Sequence, residues 1–247
     1  MWPATSDPGF DPARAAAHLA DWLLGGWLPP AGPPAWTRAA AVLLTGAAVK
    51  LMDDVLDREE DAWAGRPNLA ARLGPGATAY ALAALALAAA LSLRDAVLLF
   101  WASYAWGMAH DGRLRLPSGL QAWQETTLTV ALAVTAAGLG DTLAALALVG
   151  SVQLLDDWVD LRRERASAQH RPTAAPEERA AGPARNWAAR LGPEEALLAG
   201  LGLALVAAAW DPLRAVAGWA VALAAGLAGR PAPGTPPPEA PEGREDP

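Results

Sequence analysis

The chain has 247 residues, of which 53% are hydrophobic and 18% are charged, and it contains no cysteine. The lack of cysteine excludes disulfides, thiolate metal sites and thiol catalysis, and the net charge of -7 gives no reason to expect a nucleic acid as partner. Typical soluble domains are less apolar and more highly charged, so this composition favours a membrane protein.

The chain begins with a polar segment, residues 1–13, in which no basic stretch precedes an apolar one. We therefore expect no cleavable signal peptide. Residues 230–247 are rich in Pro and Glu with little to bury, which predicts a disordered tail. The domain between them, residues 14–229, is dominated by Ala and Leu, which favour helices over strands. The predicted apolar helices cover residues 14–29, 36–52, 73–93, 96–109, 126–140, 142–155, 196–210 and 215–229.

These helices lack the polar stripe that a surface helix of a soluble bundle carries. TVALAVTAAGL and ALLAGLGLALVAAAW are apolar on every face. Eight such helices cannot all be interior in a chain of this size, because some of them must face outward. The sequence therefore predicts an all-α polytopic membrane bundle of about eight spans, in the inner or plasma membrane of the cell.

The basic residues give a separate indication of a membrane. With eight spans and the N-terminus inside, three of the 19 Lys and Arg residues, namely Arg38, Arg94 and Arg214, fall outside and the others inside. This is the asymmetry that the positive-inside rule describes, although a soluble bundle with a phosphate site at one end would show a similar bias.

The domain contains an internal repeat. KLMDDVLDREED and NLAARLGP in the first copy correspond to QLLDDWVDLRRE and NWAARLGP in the second. The Asp pairs are 103 positions apart and the two ARLGP elements 118 apart, so the intervening loop is longer in the second copy. We predict repeat one at 14–118 and repeat two at 119–229, facing each other across a pseudo-two-fold axis.

Each copy carries an acidic motif of the form D-x-x-D-x-x-x-[D/E]. On a helix these spacings fall along one face, so each motif is expected to present about three carboxylates at the cytoplasmic end of an apolar helix. Clustered carboxylates are the hard ligands that Mg²⁺ prefers, and bound Mg²⁺ would neutralise a departing diphosphate. One such motif alone is more often a solvated helix end, but two in register favour a site. The predicted metal ligands are Asp53, Asp54, Asp57, Asp61, Asp156, Asp157, Asp160 and Glu164.

Basic side chains on the same side are candidate phosphate ligands. Lys50, the only lysine, lies one turn before the first Asp pair, and Gln153 takes its place in the second copy. Such side chains either grip phosphates or only satisfy topology and lipid headgroups. The candidates for diphosphate binding are Lys50, Arg58, Arg66, Arg113, Arg115, Gln153 and Arg162. The three histidines show no metal-ligand spacing.

At these motifs the sequence resembles the UbiA family of membrane prenyltransferases over residues 14–229. That family carries N-D-x-x-D-x-x-x-D and D-x-x-D-x-x-x-D, where this chain has DDVLDREED at 53–61 and DWVDLRRE at 157–164. The resemblance implies Mg²⁺-dependent transfer of a prenyl group from a prenyl diphosphate to an aromatic or lipid acceptor, as in quinone biosynthesis. It also implies catalytic roles for Asp54, Asp57, Asp157 and Asp160.

Two other functions stay open. GSVQLLDDWVD, residues 150–160, also resembles the second aspartate motif of soluble trans-prenyl diphosphate synthases and terpene cyclases. The basic N-terminal site that chain elongation needs is missing, because residues 1–37 contain only Arg14. A non-enzymatic membrane protein that binds divalent cations is the third reading, but ion paths usually need ionisable residues at mid-membrane depth.

Overall fold

The computed structural model describes residues 12–25, 33–64, 68–110, 112–170 and 186–228. These residues are almost entirely helical and include no β-sheet, which confirms the predicted all-α class. Residues 1–11 and the predicted tail, 230–247, lie outside the described part. The helices are α1 (Pro12–Gly25), α2 (Ala35–Leu56), α3 (Arg58–Ala64), α4 (Leu69–Leu73), α5 (Ala77–Leu91), α6 (Leu93–Ala109), α7 (Ala122–Ala137), α8 (Leu139–His170), α9 (Trp187–Leu191), α10 (Pro193–Trp210) and α11 (Pro212–Ala228).

The chain divides into two compact units, one of residues 1–33 with 97–212 and the other of residues 34–96 with 213–247. This division cuts across the two predicted sequence repeats. The physical reason lies in α11, which follows the second acidic motif in sequence but packs on α2. There Gly46 leaves room for Val221, whose Cγ1 would lie 2.8 Å from an added Cβ.

In the unit of residues 34–96 and 213–247, α2 packs along α5 through small buried side chains. Ala41, Ala88 and Ala96 form one part of this core, and Leu51, Ala70 and Ala77 belong to a second part nearer the acidic motif. Small side chains let helix backbones approach closely, which suits a helix pair that gains little from burying large apolar groups.

A buried charge cluster holds the other end of the same unit together. The Asp95 carboxylate accepts hydrogen bonds from Arg38 Nε at 2.9 Å, Arg214 Nε at 2.9 Å and Ser92 Oγ at 2.7 Å. The side chains of Asp95 and Arg214 are 1% and 3% exposed. Burial alone would raise the pKa of Asp95, but the Arg38 hydrogen bond, the Arg214 charge and the Ser92 hydroxyl hold it below its ordinary value.

In the unit of residues 1–33 and 97–212, α8 is the central helix and α10 packs along it. Gly200 of α10 meets Leu155 of α8, and Gly150 of α8 leaves space for the indole ring of Trp106. Leu161 is buried with Ala188 of α9, so the short helix α9 sits directly over the second acidic motif.

Three described helical stretches are long and apolar enough to cross a bilayer: Leu69–Leu91, Leu139–Arg163 and Pro193–Trp210. Only 17% of the first and third is buried inside the protein. Large side chains such as Leu198 and Leu205 are 69% and 72% exposed on α10. Apolar surface of this extent in water marks an interaction face, and a lipid bilayer would cover it. The remaining predicted spans are shorter or carry more charge, and Pro212–Gly226 of α11 is apolar but short.

Candidate active site

The first acidic motif lies where α2 passes into α3. Helix α2 ends at Leu56, and Asp57 forms the junction with φ -90° and ψ 7°. The Asp57 N–H still donates to Asp53 O at 2.8 Å, and Asp61 N–H donates to Asp57 O at 2.8 Å. The motif therefore spans two helices, α2 and α3, that meet at Asp57. The Asp57 side chain is exposed at this junction.

Asp54 of this motif is buried, and both of its carboxylate oxygens are engaged. Oδ1 pairs with Lys50 Nζ at 2.8 Å, while Oδ2 accepts the backbone N–H of Leu69 at 2.9 Å. Asn68 Nδ2 donates to the Asp54 carbonyl oxygen at 2.7 Å and to Asp61 Oδ2 at 2.8 Å. Asn68 Oδ1 in turn accepts from Ala71 N at 2.8 Å and so caps α4.

The second motif repeats this arrangement within the continuous helix α8. Asp157 Oδ2 accepts the backbone N–H of Trp187 at 2.6 Å, and Asn186 Nδ2 donates to the Asp157 carbonyl oxygen at 3.0 Å. Asn186 Oδ1 accepts from Ala189 N at 2.9 Å and caps α9. The motif was expected at a helix end, but α8 continues beyond it to His170.

We call this set of bonds, between the second Asp of a motif and the Asn that caps the next short helix, the Asp–Asn clasp. Each clasp joins the acidic helix to the ARLG helix and ends at a glycine with positive φ, 63° at Gly74 and 105° at Gly192. Asn68 and Asn186 are the only asparagines in the sequence. Sequence reasoning missed their role, although their equivalent positions in NLAARLGP and NWAARLGP carried the signal.

The other predicted acids have varied surroundings. Asp53 is half-buried, whereas Asp156 is exposed. Asp160 accepts from Arg163 Nη1 at 3.2 Å, and both side chains are about half exposed, at 48% and 57%. Such an exposed pair contributes little to stability and is easily exchanged for another cation. The Glu164 side chain lies outside the described part of the structure.

The predicted phosphate ligands are mostly accessible. Arg58, at the start of α3, is exposed, and so are Arg113 and Arg115 in the loop before α7. The backbone of Arg115 pairs with that of Gln121 in an isolated antiparallel β-bridge. Arg162 stacks over the Trp158 ring with its Cζ 4.7 Å from the centroid, which gives this guanidinium a partner on its own helix. Gln153 is half-buried on α8, and Arg66 lies outside the described residues.

Within the described residues, no three carboxylate or imidazole side chains come together as a metal-binding group. Among the described carboxylates of the expected stripes, Asp54 and Asp157 turn to backbone N–H groups and Asp160 turns to Arg163. The described part of each motif still includes an exposed carboxylate, Asp57 in the first and Asp156 in the second. That donor set fits Mg²⁺, which usually keeps several waters and adds substrate phosphates to one or two carboxylates.

An aromatic cluster supports the second clasp. The Trp187 ring lies edge-on to Trp106, with centroids 6.1 Å apart, and 4.9 Å from the His110 ring. Arg190 Nη1 donates to the His110 carbonyl oxygen at 2.9 Å, which ties α9 to the end of α6. These contacts fix the backbone N–H of Trp187 against Asp157.

No family model matches the chain, and neither curated proteins nor solved structures match it.

Replacing Asn68 by Ala is expected to lower the free energy of unfolding by about 1–2 kcal/mol, because the cap of α4 is lost. Asn186→Ala should have an effect of similar size, because Asn186 caps α9 in the same way. Thermal unfolding in detergent measures both. Asn→Ser at either position is the matched control, because a Ser hydroxyl restores the cap but not the amide donor. Equal stability of the Ala, Ser and parent proteins would contradict a structural role for the clasps.

Proposed function

We propose that this chain is an integral membrane prenyltransferase that transfers a prenyl group from a prenyl diphosphate to an aromatic or lipid acceptor, with Mg²⁺. The observation that carries the proposal is the paired Asp–Asn clasp. In both copies the carboxylate of the second Asp, Asp54 or Asp157, accepts a backbone N–H from the start of the next short helix. The Asn that caps that helix also donates to the backbone carbonyl of the same Asp, and a charged helix surface without function gives no reason for this arrangement to occur twice. Holding reactive carboxylates by packed secondary interactions is what a catalytic site requires.

The proposed setting is the inner or plasma membrane, with about eight spans and the acidic motifs on the cytoplasmic side. The three long apolar stretches and the exposed Leu residues of α10 support insertion. Trp123, at the start of α7, and Trp36, at the start of α2, are 53% and 69% exposed, as expected of aromatic side chains at the headgroup level. The excess of Arg on the proposed inner side supports the orientation.

In the proposed reaction the allylic C–O bond breaks and its electron pair leaves with the diphosphate. The allylic carbon then bonds to the acceptor, which releases a proton to water. Mg²⁺ bound at the motifs would supply positive charge to the leaving diphosphate. The residues proposed to hold it are Asp53, Asp54, Asp57, Asp61, Asp156, Asp157, Asp160 and Glu164.

Basic side chains are proposed to orient the same diphosphate. The guanidinium groups of Arg58, Arg113 and Arg115 are exposed and therefore accessible to a soluble or membrane-bound phosphate. Arg163 releases Asp160 at little cost when another cation arrives, because their ion pair is exposed. Lys50, Arg66, Arg162 and Gln153 complete the proposed diphosphate set.

Product mass tests the proposal. Purified protein in proteoliposomes is incubated with Mg²⁺, prenyl diphosphates of several chain lengths and aromatic quinone precursors. We expect one acceptor to gain the mass of the prenyl group with release of pyrophosphate. Joining of two prenyl diphosphates, with the protein in the soluble fraction, would instead identify a prenyl diphosphate synthase. Membrane insertion with Mg²⁺ binding and no product from any pair would favour a non-enzymatic cation-binding protein.

A further inference from the structure

The two clasps differ in one charge. The position four residues before the clasped Asp is Lys50 in the first copy and Gln153 in the second. Lys50 Nζ lies 2.8 Å from Asp54 Oδ1, and the Asp54 side chain is only 6% exposed, against 50% for Lys50. The chain's only lysine therefore neutralises the buried carboxylate of the first motif from the solvent side.

In the second copy the equivalent position carries no charge. Asp157 Oδ2 is taken by the Trp187 N–H, while no described residue donates to Asp157 Oδ1. Gln153 makes no hydrogen bond to Asp157 among the described residues. Among the described residues, both oxygens of Asp54 are therefore engaged, whereas one oxygen of Asp157 faces no donor and is able to accept an external cation.

This difference has a direct electrostatic consequence. A fixed ammonium close to a carboxylate satisfies its charge and repels a divalent ion that approaches the same group. A neutral amide at the equivalent position does neither. Two motifs of similar sequence are therefore expected to differ in their affinity for Mg²⁺, with the second motif binding more tightly.

We propose that Lys50 is a built-in counter-ion, which supplies to the first motif the positive charge that Mg²⁺ supplies to the second. The inference rests on the proposed function and makes the two motifs unequal: each carries carboxylates for Mg²⁺, but the second binds the ion more tightly because no ammonium lies beside its clasped Asp. Lys50 is then a positioning residue for Asp54 and a specificity determinant for the metal.

Exchange of the two side chains tests the inference with Mn²⁺ as the probe. The free ion is followed by electron paramagnetic resonance during titration of purified protein without substrate. The parent chain is expected to bind one Mn²⁺ tightly. Lys50→Gln should add a second tight ion, with affinity at the first motif rising about tenfold or more once the ammonium is gone. Gln153→Lys should weaken the original ion by about the same factor.

The double exchange, Lys50→Gln with Gln153→Lys, gives the sharpest result. One tight ion is expected again, but Asp157→Asn should no longer remove it and Asp54→Asn should. Lys50→Met keeps an apolar stem without the ammonium and provides a second variant if the Gln protein does not fold. Arg72→Gln, which removes the same charge from an exposed side chain of α4, is the matched control and should leave the titration unchanged.

The outcomes separate the two proposals. Two tight ions in the parent chain, or one in both the parent and Lys50→Gln, overturn the counter-ion role and leave the proposed function standing. A parent chain that binds no Mn²⁺ and releases no pyrophosphate from prenyl diphosphates overturns the proposed function as well.

Discussion

Asp157→Asn is expected to reduce turnover of a prenyl diphosphate at least about a hundredfold, the size of effect seen when one electrostatic stabilising group is removed. An Asn side-chain oxygen still accepts the Trp187 N–H, so the clasp and α9 should remain in place. What is lost is the negative charge and the oxygen that faces no described donor. Pyrophosphate release from purified protein in proteoliposomes measures the change.

Two further variants are compared with Asp157→Asn: one changes the clasped Asp of the first motif, and the other is a control at an exposed carboxylate. Asp54→Asn should also reduce turnover strongly, and it should lower stability more than Asp157→Asn does, because the buried pair with Lys50 is broken. Asp21→Asn, which changes an exposed carboxylate on α1, should keep parental turnover. Retained turnover in both clasp variants would remove the proposed site.

Asp95→Asn is expected to lower the free energy of unfolding by about 3–5 kcal/mol, the cost of breaking a buried ion pair by removal of one partner. Asn at this position leaves the guanidinium of Arg214, which is almost fully buried, without its carboxylate, and weakens the bond from Arg38. The measurement is chemical unfolding in detergent. Asp141→Asn, which changes a half-exposed acid at the start of α8, is the control and should cost about 1 kcal/mol or less.

The same carboxylate predicts a dependence of stability on pH. The pKa of Asp95 is lowered on folding, so the folded chain binds this proton less readily than the unfolded chain. Its contribution is therefore complete above the unfolded pKa of about 4 and is lost as the pH falls through the lower folded pKa. The stability difference between the parent and Asp95→Asn should be constant from about pH 5 upward and shrink in stronger acid. A difference that is small at neutral pH would contradict the buried ion pair.

Local sequence patterns predicted most helices, because Ala and Leu favour helices and Gly and Pro mark their ends. Gly74 and Gly192 end the two ARLG helices with positive φ, a conformation that favours glycine. The packing of α11 on α2 was not predictable in this way, since the contact of Val221 with Gly46 joins distant parts of the chain. The repeat boundaries inferred from sequence therefore differ from the compact units.

The acidic motifs were recognised from their spacing, but the hydrogen-bond partner of each carboxylate was not predicted. Spacing places Asp54, Asp57 and Asp61 on one side of a helix, yet Asp54 turns to the N–H of Leu69 and Asp61 to the amide of Asn68. These bonds depend on where the loop after each motif returns, which a motif does not specify. The Asp95 cluster was missed for the same reason, although its partners Arg38 and Arg214 already stood out on the predicted outer side.

Pyrophosphate release by the parent protein, measured with Mg²⁺ and again after its removal with EDTA, shows whether the chain cleaves prenyl diphosphates in a Mg²⁺-dependent reaction. We expect steady release from an allylic prenyl diphosphate with Mg²⁺, almost none with EDTA, and none from a saturated analogue that forms no allylic cation. Release that is unchanged by EDTA, or no release from any prenyl diphosphate in the presence of Mg²⁺, would contradict this expectation.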